Sequence, residues 1–73
     1  MNDRERIGGL LASIRESSNK TQQDISDATG LDRANISKIE KGKYNVGLDI
    51  LSKIADALNC EVTITKKKRV RQP

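Results

Sequence analysis

With 73 residues the chain has room for one small domain, whose modest core leaves stability marginal unless something staples it. A single cysteine excludes an internal disulfide, and one thiol without any histidine excludes a zinc site, so a second copy of the chain is the expected staple and no cofactor or metal is expected. The net charge of +4 belongs to the tail: Lys66, Lys67, Lys68, Arg69 and Arg71 are five of the 14 basic residues, and the other nine face ten acids.

A basic tail favours any polyanion and carries no sequence information by itself. The lone Cys60 fits a reducing compartment and reads as a small buried hydrophobe. No apolar run is long enough to span a membrane, and the opening Met1-Asn2-Asp3-Arg4-Glu5-Arg6 lacks the apolar stretch of a signal peptide. A cytoplasmic protein without a membrane partner is expected.

In chain order, Ile7, Leu10, Leu11 and Ile14 recur at three- and four-residue steps and predict a helix from Asp3 to Ser17. Gly8 and Gly9 weaken it by about 1 kcal/mol each, so either the helix frays there or another backbone packs close. Ser17-Ser18-Asn19 ends it. Thr21-Gln22-Gln23-Asp24 resembles a capping box, with Asp where Glu or Gln would reach back better. The second helix turns Ile25 and Ala28 inward and stops at Gly30, in the place of a left-handed C-terminal glycine. Asp32 caps a third helix with Ile36 and Ile39 inward, and Gly42 closes it. A fourth has Leu48, Leu51, Ile54, Ala55 and Leu58 as its buried stripe and stops near Asn59. Then the period changes. In Glu61-Val62-Thr63-Ile64-Thr65 four of five residues are β-branched and apolar positions alternate, which predicts a strand.

The segment from Gln22 to Ile39 is the most informative. Two short helices meeting at a steep angle need a small residue where they approach, a residue tolerant of positive φ in the turn, and apolar residues pinning the second helix. Ser26, Gly30, Ile36 and Ile39 stand in those places.

Thr21-Gln22-Gln23-Asp24-Ile25-Ser26 and Ile36-Ser37-Lys38-Ile39-Glu40-Lys41-Gly42, in this order and spacing, resemble the phage repressor and Cro group of helix-turn-helix proteins, the Xre family. The resemblance runs from Ile7 to Leu58. Ser26 departs from the family's usual alanine and Thr29 from an aliphatic residue. It implies a mainly α, λ-repressor-like domain of four helices over residues 1–60. Residues 61–65 would form a short C-terminal β-strand in place of the fifth helix of many members, and residues 66–73 a flexible basic tail.

The resemblance also implies roles. Base reading falls on Arg33, Ala34 and Lys38, with Asn35 and Ser37 beside them. The Arg33 fork suits guanine O6 and N7, and the Ala34 methyl suits a thymine methyl. Phosphate contacts fall on Thr21 and Gln22 at the start of the second helix, and on Lys41, Lys43, Tyr44 and Asn45 after the third. Arg15 and Glu40 form a structural pair. Without the motif, Arg33 and Lys38 would read as ordinary solvated charges, and Tyr44 suits the core edge as well as a phosphate.

The expected function is sequence-specific binding of double-stranded DNA by a transcriptional repressor. The expected homodimer is joined through Val62, Thr63 and Ile64 of paired C-terminal strands, because a lone strand leaves its backbone groups unpaired. The alternative is an antitoxin that also represses its own operon and has a toxin protein as partner. An enzyme is not expected: there is no histidine, no nucleophile with a base and no phosphate-binding glycine loop. Single-strand binding is disfavoured by one tyrosine and no Phe or Trp.

Overall fold

The computed structural model describes residues 2–67, so positions 68–73 of the predicted basic tail lie outside the described residues. The described part folds as four helices: α1 (Asp3–Ser17), α2 (Gln22–Thr29), α3 (Arg33–Glu40) and α4 (Leu48–Ala57). Local chemistry sets their ends. At α1 the Glu5 N–H donates to Asn2 Oδ1 at 2.9 Å and Glu5 Oε1 accepts the Asn2 N–H at 3.0 Å, a reciprocal capping box. Thr21 and Asp24 make the same exchange at α2, so the short aspartate does reach back. At the far ends Asn19, Gly42 and Asn59 adopt positive φ. Each lets the next amide close on a carbonyl five residues back: Lys20 on Arg15, Lys43 on Lys38, Cys60 on Ala55.

Helix α3 packs on both α1 and α2, and α4 packs on α2. Leu11, Ile25, Ile36, Ile39, Ile54 and Leu58 form the core, with Ile7, Ile14, Leu31, Val46, Ile50 and Leu51 at its margin. Full burial of each such side chain contributes about 1.5–3 kcal/mol. Three expected inward positions are not inward. Leu10 is 49% exposed, since Ile7, Leu11 and Ile14 already fill the α1 face. Leu48 is 66% exposed, because the first residue of α4 precedes the contact with the core. Ala28 is exposed, and Thr29 takes the inward side of α2 with Ile25.

Of the paired glycines in α1, Gly8 marks a close approach. A Cβ there would collide with the Ile39 carbonyl oxygen and come within 2.9 Å of that of Glu40, whereas one on Gly9 meets nothing within 4 Å. Gly42 answers from the other side: with φ at 73° it lies where a Cβ would be 2.6 Å from Glu5 Cα. Backbone therefore packs on backbone where α1 crosses the end of α3.

The predicted strand is absent. Residues 61–67 carry no helix or strand and pair with no other described segment. They run beside α1: Glu61, Val62 and Thr63 share a cavity of about 270 Å³ with Ile7, Leu10 and Ile14, and Thr63, Ile64 and Thr65 share another with Asp3 and Arg6. Val62 is 42% exposed and Ile64 97%. The alternation of Val62 and Ile64 registers a preference for strand conformation, but a strand exists only through a paired neighbour, and the described chain offers none. The contact assigned to Val62, Thr63 and Ile64 as a dimer strand falls with it.

Candidate nucleic-acid interface

The interface is built around α3. Asp32 starts the helix by accepting the Ala34 N–H at 3.3 Å, and Ile36 and Ile39, almost fully buried, pin one face to the core. At 100° per residue that sets Ala34 and Lys38 on the opposite side and Arg33 and Asn35 at the flanks, and all four are exposed. Ser37 is half-buried at the edge.

The turn before α3 is held by two hydroxyls. Ser26 Oγ donates to the Leu31 carbonyl at 2.5 Å. Thr29 Oγ1 donates to the Ile25 carbonyl at 2.7 Å and accepts the Leu31 N–H at 3.2 Å. These are the two positions that depart from the family's usual residues. The departures are therefore polar ties across the turn, which alanine and an aliphatic residue cannot make.

The far end of α3 is held by charge. Arg15 Nε donates to Glu40 Oε2 at 2.7 Å and Nη2 to Oε1 at 3.0 Å, while Nη1 reaches the Lys20 carbonyl at 2.8 Å. Both side chains are nearly out of solvent, at 11% and 8% exposure. The hydrogen bonds that Arg15 donates to the Glu40 carboxylate raise the Arg15 pKa above its ordinary value, and burial opposes the rise. Gln22 completes the cluster: its Nε2 donates to Glu40 Oε1 at 3.0 Å.

The flanking positions surround this end. Thr21 is exposed, its N–H and its hydroxyl lone pair engaged by Asp24, which leaves its O–H hydrogen to donate. Those contacts, the Thr21 backbone N–H first, hold the Asp24 carboxyl below the usual carboxylate range. Gln22 is half-buried. Lys41, Lys43 and Asn45 are exposed beyond the helix, and Tyr44, 45% exposed, lies outside the core cluster. Exposed donors thus stand at the start of α2, on α3 and in the loop after it. The Gln22–Glu40 contact, the Lys20 carbonyl and the Asn2 cap were not read from the sequence. The first joins residues 18 apart with no local signal, whereas Asn2 followed three residues later by Glu5 was a readable capping signature.

No group of three or more His, Cys, Asp or Glu among the described residues is placed to hold a metal ion, and no helix there is long and apolar enough to cross a membrane.

A helix-turn-helix family model matches residues 11–64. An HTH-type transcriptional regulator of Sinorhizobium fredii is 36% identical over 64 residues, 88% of this chain, and the match spans only 33% of that longer protein. The restriction-modification controller protein C.AhdI from Aeromonas hydrophila superposes with a TM-score of 0.78 at 32% identity, covering 81% of this chain and 89% of that one. The controller protein C.Esp1396I, solved as a tetramer with its natural 35 base-pair operator, superposes with a TM-score of 0.74 at 28% identity, covering 78% and 72%. The matched span holds the two-helix unit, its turn and the Arg15–Glu40 pair, and the chain belongs to the Xre-like helix-turn-helix family.

Proposed function

We propose that this protein binds double-stranded DNA sequence-specifically, with α3 in the major groove, and acts as a transcriptional repressor. One observation carries the reading. Helix α3 is clamped on its buried side and at its C-terminal end, while Arg33, Ala34, Asn35 and Lys38 are all exposed to solvent. A rigid helix presenting donors and a methyl group is what direct reading of base edges requires. Arg33 is the main reader, with Lys38 about one turn further. The flanking Thr21, Gln22, Lys41, Lys43, Tyr44 and Asn45 contact phosphates and set the register. The relatives named as transcriptional regulator and controller proteins support the same reading.

The protein acts as a homodimer on a near-palindromic operator. Eight residues of helix span about 12 Å, too little to specify an operator alone, and two such helices about 34 Å apart read two half-sites. The antitoxin alternative adds a toxin-binding surface to the same body, and co-purification of a second protein with the tagged chain would assign it.

Equilibrium binding to duplex and to single-stranded DNA over a salt series tests the reading. Duplex binding that weakens steeply from about 50 to 200 mM salt, with little single-strand binding, is the expected result. Preference for single strands would overturn it.

A further inference from the structure

Gln22 is expected to grip a phosphate, yet in the free protein its amide nitrogen is already engaged. Nε2 lies 3.0 Å from Glu40 Oε1, the oxygen that also accepts from Arg15 Nη2. A carboxamide has two nearly isosteric ends, one a double donor and the other an acceptor. A carboxylate accepts only, so turning the amide over would set oxygen against oxygen beside a nearly buried charge. Glu40 therefore decides which end of Gln22 is nitrogen. It takes one of the two N–H hydrogens and leaves the second in a fixed direction. Glu40 itself is fixed by the two-point bond from Arg15, whose remaining nitrogen is tied to the Lys20 carbonyl. The network thus runs from α1 through the α1–α2 turn and α3 to the first residue of α2.

We propose that Glu40, held by Arg15, is a positioning residue for DNA binding: it orients the Gln22 carboxamide so that its second N–H is presented to the phosphate backbone. This rests on the reading of Gln22 as a phosphate contact given above. The pair then does more than join α1 to α3, because it sets the geometry of a backbone contact on α2. Affinity of every duplex depends on it, while base preference does not.

A double-mutant cycle on the full chain tests this. Gln22→Ala is made in the parent and in a variant carrying Arg15→Met and Glu40→Met. That variant removes one positive and one negative charge, and replacing both partners of a buried pair by apolar groups is commonly tolerated. Circular dichroism and thermal unfolding check that each protein folds. In the parent, Gln22→Ala is expected to weaken duplex binding about tenfold, as loss of a hydrogen bond to a charged group does, without changing the salt slope, because glutamine is neutral. In the apolar-pair background the same substitution is expected to cost less than about twofold, the mark of coupled sites. A second readout is the pair of Gln22 side-chain amide proton signals, expected to be widely separated in the parent and to converge in the apolar-pair variant. Should that variant fail to fold, Glu40→Gln takes its place, since a neutral amide keeps the shape but no longer selects one end of Gln22. Equal losses in both backgrounds, or unmoved amide signals, overturn the positioning role while leaving the phosphate contact standing. Parent-like binding by Gln22→Ala in the parent background overturns the phosphate contact and the proposal with it.

Discussion

The two ends of α3 are built differently. The C-terminal end, Ile39 to Gly42, is held at three places. Gly8 lets the α1 backbone lie against its carbonyls, Gly42 receives Glu5, and Arg15 and Gln22 hold Glu40. The N-terminal end is held by one Asp32 cap and by the hydroxyl ties of Ser26 and Thr29 across the turn, and Arg33, Ala34 and Asn35 are exposed, with no side-chain hydrogen bond among the described residues. The difference separates two tasks. Orientation of the helix is set where side chains and backbone are buried. Contact is left to side chains that the fold does not use, so they are free to be chosen for a DNA sequence. Substitutions at the two ends should therefore fail in different ways.

The largest effect is expected at the fixed end. Gly8→Ala forces a methyl group into the carbonyls of Ile39 and Glu40. Overpacking of this kind costs about 1–3 kcal/mol, and with backbone on the other side the upper part of that range is expected. Thermal unfolding should show it, together with weaker binding of all duplexes. A parent-like melting temperature would mean that α1 does not press on α3. At the free end, Arg33→Ala should leave melting unchanged and cost about 1–3 kcal/mol on the preferred site, relaxing one base position per half-site. Lost stability in that variant would blur the separation of tasks. Lys43→Ala sits beyond the fixed end but is exposed. It should lower affinity for all duplexes and flatten the salt slope by about one unit, measured by titration across ionic strengths. The smallest effect sharpens the first. Gly9→Ala, one residue from Gly8 and facing open space, should stabilise the fold by about 1 kcal/mol through helix propensity alone.

The four helices were legible because each carries its own signals: the steps from Ile7 to Ile14, the Thr21–Asp24 box with Gly30, the cap at Asp32, and the stripe of Leu51, Ile54, Ala55 and Leu58. The place of α3 in the motif was legible through the spacing of Ile25, Gly30, Ile36 and Ile39. The sequence posed the question at Gly8 and Gly9 without choosing between them, because crowding is a property of the neighbouring backbone. Residues 61–65 misled for a related reason. β-Branched side chains report what the local backbone prefers, and pairing depends on a second segment that composition cannot supply. Leu10 and Leu48 lie at the rim of helical faces, where periodicity fixes direction but not how far the core extends. The Gln22–Glu40 contact joins two polar residues whose meeting depends on the angle between α2 and α3.

Selection of bound duplexes from a random pool, run in parallel on the parent and on Arg33→Ala, tests most directly the claim that the free face of α3 reads DNA. The parent is expected to enrich a near-palindromic site, and Arg33→Ala to enrich the same site with one position in each half degenerate. A parent that enriches no sequence, or a variant that returns the parent's site unchanged, would contradict the assignment of this face as the reader.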